Sequence, residues 1–586
     1  MNNTTQMSSV EMPSGVMLNA YPDSLGATLK DAIKLLKNPL FKDVFSMFYI
    51  LPTMFNSDLD RGFSIIDYHL NQDLVTPEDL EALKELGIGL KLDIVLNHLS
   101  VNSPQFQDLL KKGNTSIFKD FFLDWNAFWK VHSQDTKEGI VVPQEDYLNR
   151  LFMRKPGLPV LKVPLPDGSE KVYWNTFYQE IIYHPISKSD LNELNLTEAQ
   201  QKHIAKGINA AIVKGEDPTT LPFDLNDTLQ RELIRIVKQK CTFLGQMDVN
   251  AQSPLVWEFY EETLKKLSDY GCRLLRLDAF AYLHKEVGQT NFFNIPGTWD
   301  YLDRIKEIAH RNQMAILPEI HAEYGAHLHD QIAAAGHAIY DFFFPGLVLH
   351  TLENADNRAL LGWIHEIVEK EFQTVNMLGC HDGIPVLDLN GKEVNGIYSE
   401  GLLSTKQIDL IMDRVLDRGG RVKNIYDAEG NKLSYYQINA TFFSALGEDE
   451  AKMLLARALQ IFMPGIPQVW YLDLFVGKND YAAANSAGKG GHKEINRTNL
   501  VRPKIEEALG SKIVQQQLEL LRLRNTHPAF EGELKIRTAP ENQVCLEWQK
   551  EVYIARLEAD LITFQFRIQY SANKTLRTIK NECLAH

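Results

Sequence analysis

The sequence predicts an α/β fold in which parallel strands alternate with helices, an inserted subdomain follows the third strand, and an antiparallel β-domain forms the C-terminal part. Apolar runs of strand length alternate with segments of helical periodicity, which is typical of βαβ units and a parallel sheet. This alternation stops between about Leu99 and Trp257 and then resumes. After about His527 the chain changes to short alternating runs. One α/β barrel can occupy about 250 residues, so the length allows this arrangement.

The first three strands are the apolar runs at residues 16–21, 43–52 and 90–98. Amphipathic segments at 24–38 and 76–89 lie between them and predict helices. The near-continuous hydrophobicity of the strands favours a sheet that is covered on both faces.

The interruption has two parts. The first, to about Gln179, is rich in aromatics and prolines and predicts a small strand-and-loop subdomain. The second, roughly Ile181 to Gly245, predicts polar helices, with a Thr-x-x-Gln capping signal at Thr197 and Gln200. We assign it no chemistry: a solvated helical excursion is the simpler interpretation, and a functional lid is the alternative.

The alternation returns at 253–280 and 299–320 and continues through 374–383 and 451–475. The tail contains three short alternating runs, at 544–549, 552–559 and 561–568, which predict the antiparallel C-terminal domain.

Composition and charge exclude several classes of protein. Hydrophobic residues at 44% and charged residues at 23% are typical of a folded globular chain. A formal net charge of -15 argues against a nucleic-acid partner. The five cysteines are spread out without a CxxC pair, so we expect neither a disulfide framework nor a zinc site. No apolar run reaches about 18 residues and no signal-like segment begins the chain, so we expect a cytoplasmic protein.

Polar residues end four of the predicted strands, where barrel enzymes place their chemistry. They are Asn97 and His98, Arg276 and Asp278, Glu319, and His381 and Asp382. Each one alone is more typical of a turn or a helix cap. Together, three carboxylates and two histidines at one edge would repel each other and be costly to desolvate unless a ligand, cation or transition state used them.

The pair Arg276 and Asp278 lies inside a leucine-rich strand. Because side chains alternate along a strand, these two share a face while Leu275 and Leu277 point to the other. A guanidinium beside a carboxylate lowers its pKa, which suits a nucleophile, whereas a general acid needs a raised pKa. On this logic Asp278 attacks and Glu319 donates the proton.

The segments LDIVLNH, CRLLRLDAF, ILPEIH and LGCHD occur in this order and resemble the four signature regions of the α-amylase superfamily (glycoside hydrolase family 13). The resemblance implies a (β/α)8 TIM barrel and a retaining mechanism through a covalent glycosyl-enzyme intermediate. It implies that Asp278 is the nucleophile, Glu319 the general acid/base and Asp382 the third carboxylate, which stabilises the transition state. Arg276, His98 and His381 match the family's sugar-binding positions.

Further segments, among them DRGFSIIDY, GCHDGIPV, YYQINATFFSAL and EINR, resemble the sucrose phosphorylase branch of this superfamily in particular. That resemblance implies that Asp60 and Arg497 form an ion pair that closes the glucose pocket. It also places Gln246 in a Q-x-D segment near the site, and Tyr436 and Gln437 in the acceptor loop.

Phosphorolysis requires an anion to be held at the acceptor side, and Arg154 and Lys155 of RLFMRKPGLP are the candidate residues. Lys155 stands where the sucrose phosphorylases resemble one another in carrying arginine. Lysine lacks the bidentate fork of arginine, so this position leaves the acceptor open. Another glucoside, such as a phosphorylated sucrose, glucosylglycerol or glucosylglycerate, is one alternative.

The resemblance therefore implies retaining α-glucosyl transfer by double displacement, with phosphorolysis of sucrose or a related α-glucoside to α-glucose 1-phosphate. Hydrolysis or transglycosylation at the same site is the alternative, and a non-catalytic binding barrel is disfavoured because all three carboxylates are present. We expect no cofactor and no metal. The expected partners are a small sugar and inorganic phosphate, with neither nucleic acid nor membrane. The sequence leaves the oligomeric state open, a homodimer being one option.

Under this interpretation the chain divides into seven segments. They are residues 1–98 (first part of the barrel), 99–180 (inserted subdomain), 181–250 (extra helical insertion), 251–382 (barrel continued), 383–440 (acceptor-loop subdomain), 441–526 (end of the barrel) and 527–586 (C-terminal β-domain).

Overall fold

The fold is described by a computed structural model over residues 10–155, 157–426, 432–487, 491–572 and 575–581, with backbone alone at 423–426 and 432–436. Eight parallel strands form one sheet that curls into a barrel, which confirms the predicted fold class. In chain order the strands are β1 (Met17–Ala20), β2 (Met47–Ile50), β3 (Gly89–Val95), β4 (Cys272–Asp278), β5 (Ala315–Pro318), β6 (Ile339–Asp341), β7 (Thr374–Met377) and β8 (Ile466–Trp470).

The strands follow one another around the barrel in the order β5-β4-β3-β2-β1-β8-β7-β6. Every ladder between these neighbours is parallel. Strands β5 and β6 are the outer members, and within the described ranges no ladder joins them. Because all eight strands run in the same direction, their carboxyl ends meet at one edge of the barrel.

Helices connect the strands and cover the outside of the barrel. The main ones are α1 (Leu29–Leu36), α2 (Pro77–Glu85), α3 (Pro254–Asp269), α4 (Gly297–Arg311), α5 (Leu328–Ala334), α6 (Phe344–Asn354), α7 (Arg358–Glu369), α8 (Glu450–Phe462) and α9 (Lys512–Thr526). Their starts carry ordinary capping signals: Thr76 and Asp79 form a capping box at α2, and Asp449 accepts two backbone N–H groups at α8. In the part of the chain that the structure describes, none of the helices has the length and apolar character needed to cross a bilayer.

The inserted subdomain lies between β3 and α3. A short strand, His98–Ser100, continues directly from β3 and pairs antiparallel with the end of Cys241–Asp248. Two hairpins complete this part. They are formed by Ser133–Lys137 with Ile140–Pro143 and by Val160–Pro164 with Glu170–Trp174. The pairing places His98 opposite Asp248, so the insertion begins and ends at the carboxyl edge of the barrel.

The second part of the insertion differs from the prediction at both ends. Residues Gln179–Tyr183 form a strand that pairs with Cys241–Asp248, where the sequence predicted polar helix from Ile181 to Gly245. The run that contains Ile181 and Ile182 is short, and it takes an extended form because a partner strand lies beside it. Between these strands, helices Glu198–Lys214 and Asp227–Gln239 pack through an apolar cluster of their own. The predicted capping box at Thr197 and Gln200 is confirmed.

Two further regions matter for the site. After β7, a hairpin of Lys392–Val394 and Ile397–Ser399, a helix over Thr405–Asp417 and a second hairpin of Arg421–Tyr426 and Lys432–Asn439 precede α8. The C-terminal sheet is antiparallel, with strands Glu533–Ile536, Gln543–Lys550, Tyr553–Asp560, Phe566–Ala572 and Thr575–Lys580 in order. Trp548 of this sheet donates to the Phe462 carbonyl of α8 at 2.9 Å. The predicted limits of the seven segments remain predictions.

Candidate active site

A cavity of about 220 Å³ opens at the carboxyl edge of the barrel. Side chains predicted from the sequence line much of it: Asp60, His98, Arg154, Gln246, Asp278, Glu319, His381, Asp382 and Gln437. Arg276 and Arg497 are almost fully buried against this lining. Lys155 does not line the cavity, and the side chain of Tyr436 lies outside the described residues.

Arg276 is the centre of one half of the site. In the register of the sheet it lies beside Asp93 of β3, and Asp278 follows two residues later on the same face. Its Nη1 donates to Asp93 Oδ1 at 2.6 Å and to Asp278 Oδ1 at 2.9 Å, while Nη2 lies 2.7 Å from Glu319 Oε1. Tyr49 donates a further hydrogen bond to Asp93 at 2.9 Å. One guanidinium therefore binds three carboxylates.

The protonation order of this pair differs from the prediction. Burial, followed by the charge of Glu319, raises the pKa of Asp278 well above its usual value. Burial acts in the same direction on Glu319, but Arg276 and His321 outweigh it and lower the pKa of Glu319. In the unliganded site these directions are the reverse of the predicted ones, because Arg276 contacts both carboxyls; the protonation order during the reaction remains a prediction. Two carboxyls this close titrate together, so one holds its proton to a higher pH than the other.

Asp382 lies in a second, more cationic cluster. Lys493 Nζ is 2.6 Å and Arg497 Nη2 3.8 Å from Asp382 Oδ1, and His381 Nε2 is 3.6 Å from Oδ2. Burial alone would raise the pKa of Asp382, but these three neighbours hold it well below its usual value. Asp382 is therefore an ionised carboxylate held by its own cationic neighbours, close to the carboxyl group of Glu319.

The predicted ion pair between Asp60 and Arg497 is absent within 4 Å, both residues being in the described part of the chain. Lys493, which the sequence did not single out, lies 3.8 Å from Asp60 as well as 2.6 Å from Asp382. Arg497 instead donates to the His381 carbonyl at 2.7 Å and contacts Glu494 at 3.2 Å. The Lys493 ammonium therefore contacts both Asp60 and Asp382, whereas the sequence predicted that Arg497 would pair with Asp60.

Phe63 organises three predicted sugar-binding residues. Its carbonyl faces His98 Nε2 at 3.1 Å and accepts from Gln246 Nε2 at 3.2 Å, and its ring stacks on His381 at 4.9 Å. Burial lowers the pKa of His98 to about 4 and that of His381 well below its usual value. Both imidazoles are neutral near pH 7 and act there as hydrogen-bonding groups rather than as charges.

Arg154 is the cavity cation of the RLFMRKPGLP loop. Its guanidinium lies 5.6 Å from the centre of the Phe177 ring and 5.9 Å from that of Tyr282. Lys155 turns the other way and donates to Asn175, and burial lowers its pKa to about 7. Since Asn175 also donates to the Gln246 carbonyl at 2.8 Å, Lys155 supports the strand that carries Gln246. The cation that reaches the cavity is therefore Arg154 and not Lys155, the position at which sucrose phosphorylases resemble one another in carrying arginine.

Lys392, in the hairpin after β7, is a second cation on the wall of the cavity. Its Nζ lies 2.8 Å from Glu323 Oε2, and Glu323 also lines the cavity. The sequence contains no signal for this pair, because the hairpin is 69 residues away from Glu323 along the chain.

His321 is the functional neighbour that sequence reasoning missed most directly. Its Nε2 lies 3.5 Å from Glu319 Oε1, its Nδ1 lies 3.1 Å from Asp388 Oδ2, and its ring stacks on Phe342 at 3.7 Å. The period of two along an extended chain could have indicated it, since His321 follows Glu319 by two residues.

The sequence predicted no metal site, but the fold does group potential ligands. Within the described ranges, two sets each bring three such atoms within 4.8 Å of one another: Glu319 with His321 and Asp382, and His327 with His329 and Asp330. The first set belongs to the cavity just described.

Comparisons with known proteins agree with this geometry. The chain is 52% identical to the sucrose 6(F)-phosphate phosphorylase of Ilumatobacter coccineus over 95% of this chain and 96% of that protein. It is 30% identical to the sucrose phosphorylase of Streptococcus mutans over 94% and 96%. The crystal structure of sucrose 6F-phosphate phosphorylase from Thermoanaerobacter thermosaccharolyticum superposes with a TM-score of 0.78 and 31% identity, over 98% and 99% of the two chains.

The chain matches no family model. The high coverage and identity of these relatives nevertheless establish its membership. The chain belongs to the sucrose phosphorylase-like branch of the α-amylase superfamily, glycoside hydrolase family 13.

Proposed function

We propose that this enzyme transfers an α-glucosyl group from sucrose 6F-phosphate to inorganic phosphate by double displacement and releases α-glucose 1-phosphate. Unphosphorylated sucrose is the second donor. The observation that carries the proposal is the joint contact of Arg276 with Asp278 and Glu319, at 2.9 and 2.7 Å. Retaining enzymes need two carboxyl groups about 5 Å apart, and two groups bound to one guanidinium suit that separation.

Each of the three carboxyl groups has its own role in the two displacement steps. Asp278 attacks the anomeric carbon and forms an ester as the bond from that carbon to the fructosyl oxygen breaks, and Glu319 gives its proton to that oxygen. Glu319 then takes the proton of the attacking phosphate as the phosphate oxygen displaces Asp278. Asp382, held as an anion by Lys493, strengthens its contacts with the ring hydroxyls as positive charge develops on the sugar.

The sugar-binding roles of Asp60, His98, Gln246, His381 and Arg497 are part of the proposal. Neutral His98 and His381 can donate or accept hydrogen bonds to hydroxyls. Asp60 and Asp382 share Lys493, which gives the closed end of the pocket a fixed polar wall. Gln437, whose Oε1 accepts from Gly383 at 2.7 Å, is held beside Asp382.

The acceptor side favours anionic partners. Arg154 and Lys392 both line the cavity and can donate charge-assisted hydrogen bonds to a phosphate. The relative that shares 52% identity acts, by its name, on a donor with a phosphate on fructose. These two cations suit both that phosphate and the phosphate that attacks.

Hydrolysis or transglycosylation at this site is the alternative, with water or a sugar hydroxyl as acceptor. The test is incubation with sucrose 6F-phosphate or sucrose, with and without phosphate, followed by assays of glucose 1-phosphate and free glucose. We expect glucose 1-phosphate in phosphate buffer, formed faster from sucrose 6F-phosphate. Free glucose released at the same rate without phosphate would show that water is the acceptor.

The roles of the two proposed catalytic carboxyls can be distinguished with donors whose leaving groups differ in their need for a proton. Asp278→Asn removes the nucleophile and should lower kcat by more than about 10³-fold with every donor. Glu319→Ala removes the proton donor and should cost about 10²-fold or more with sucrose 6F-phosphate. Because fluoride leaves without a proton, fluoride release from α-glucosyl fluoride in a single turnover should fall less than about tenfold in Glu319→Ala.

Glu323→Gln, at a cavity carboxylate without a role in these steps, is the matched control and should retain single-turnover fluoride release. Equal losses on both donors in Glu319→Ala would contradict the role of Glu319 as acid.

Lys392 should determine preference for the phosphorylated donor. Lys392→Gln removes a charge-assisted hydrogen bond worth about 1.5–3 kcal/mol, which corresponds to a rise of roughly tenfold or more in KM for sucrose 6F-phosphate. KM for sucrose should change less than about twofold. Lys406→Gln, at an exposed lysine of the neighbouring helix, is the control. A similar rise for both donors would show that Lys392 does not read the fructose phosphate.

His321 should set the alkaline limb of the pH profile. Glu319 must carry a proton when the aglycone leaves, and His321 lowers the pKa of Glu319. In His321→Gln that pKa rises, so the high-pH limb of kcat should move to higher pH. The exposed His203→Gln variant should keep the wild-type profile. A limb that stays in place or moves to lower pH would exclude this influence of His321.

We also propose a cytoplasmic location, which the four unpaired thiols in the described ranges support. The homodimer remains a prediction.

A further inference from the structure

Away from the cavity just assigned, a second polar cluster lies at the start of α5. It consists of His327, His329 and Asp330, with Glu366 and Lys370 of the neighbouring helical region beside them. One atom each from His327, His329 and Asp330 lies within 4.8 Å of the others. None of the glucosyl-transfer steps uses these residues.

His329 is the buried member of this cluster. Its side chain is 5% exposed, and its Nε2 has only long contacts with two acidic groups, at 3.5 Å to Glu366 Oε1 and 3.7 Å to Asp330 Oδ2. The contact with Glu366 helps to lower the pKa of that carboxyl, but it is longer than an ordinary hydrogen bond and leaves Nε2 without a close partner. A buried polar atom left without a partner costs free energy, so an absent ligand is a physical reason for its position.

The spacing of these atoms fits a small metal ion. Ligands about 2.0–2.1 Å from a tetrahedral Zn²⁺ lie about 3.3 Å from one another. The separations here are 3.1 Å from His327 Nδ1 to Asp330 Oδ2 and 3.5 and 3.7 Å from His329 Nε2 to its two acidic neighbours. These three distances between candidate ligand atoms therefore lie on either side of the 3.3 Å expected between two ligands of a tetrahedral ion.

The surrounding contacts also suit a metal site. His327 Nε2 lies 2.7 Å from Ser399 Oγ, which leaves Nδ1 free to face the ion when Nε2 carries the proton. Lys370 contacts Asp330 Oδ1 at 2.6 Å, so the other oxygen of that carboxylate remains directed at the histidines. Tyr324 and Lys370 fix Glu366 at 2.5 and 2.8 Å. Each acidic group is thus oriented by an outer partner.

We propose that His327, His329 and Asp330 bind a divalent transition-metal ion such as Zn²⁺, with Glu366 or water in the fourth position. Imidazole nitrogens with a carboxylate are the donor set that such ions prefer. The site adjoins the hairpin after β7, because His327 Nε2 lies 2.7 Å from Ser399 Oγ and Ser399 pairs in register with Lys392 of the cavity wall; an ion that fixes the His327 ring would therefore also steady this hairpin. This proposal is independent of the proposed glucosyl transfer, and its test does not use activity.

The test titrates the full chain with Co²⁺, whose tetrahedral complexes absorb visible light, and with Zn²⁺ in competition. We expect one Co²⁺ per chain with a visible band that Zn²⁺ removes. His327→Ala changes a half-exposed residue that the fold tolerates, and it should weaken Co²⁺ binding at least tenfold. His365→Ala, at an exposed histidine of α7, should bind as the wild type does.

Hydrogen exchange gives a second readout. Zn²⁺ should slow amide exchange at residues 392–399 in the wild type and in His365→Ala, and leave it unchanged in His327→Ala. Absence of the Co²⁺ band, or a band of equal affinity in His327→Ala, would overturn the proposal.

Discussion

The site depends on one buried guanidinium, that of Arg276, which contacts more carboxyl groups than its single charge can neutralise. Arg276 carries a single positive charge, yet it contacts Asp93, Asp278 and Glu319 in a region closed to water. Placing charges in such a region costs several kcal/mol per ion unless partners compensate. The hydrogen bonds of Arg276, with that of Tyr49 to Asp93, supply part of this compensation. Burial, followed by the negative charge of Glu319, raises the pKa of Asp278 despite this compensation.

This imbalance explains why the site suits a cationic transition state. Without substrate, the cluster of Arg276, Asp278 and Glu319 retains a proton. When positive charge develops on the sugar ring, that charge favours the ionised carboxylates, so the cluster can release the proton. At Asp382 the balance is reversed: Lys493, Arg497 and His381 surround this carboxylate and keep it ionised. Asp278 and Asp382 therefore differ in charge state although both line one cavity, because their neighbours differ.

Sequence reasoning identified the site residues that lie on or next to the barrel strands, and it missed those that loops distant along the chain contribute. The alternation of strands with helices was enough to predict a parallel sheet, and the resemblance to the α-amylase superfamily implied the barrel. The regular period of a strand was enough to place Arg276 beside Asp278. Lys493 was not found, since a loop near the end of the chain carries it between Asp60 and Asp382. Arg154 and Lys155 are adjacent residues of a loop without period, so their opposite directions could not be predicted. The pKa directions of the unliganded pair could not be predicted for a related reason, since Glu319 and Arg276 come from segments that are distant along the chain.

The same division separates the chemistry of glucosyl transfer from the choice of acceptor. Asp278 ends β4, Glu319 follows β5, and both are held by a residue inside the barrel. Arg154 comes from the inserted subdomain and Lys392 from a short hairpin, segments whose backbone the barrel does not constrain directly. Loops of this kind tolerate substitution better than barrel strands do. Under the proposed function, a change at Arg154 or Lys392 would alter which anion is bound without disturbing Arg276 and its carboxylate partners in the barrel.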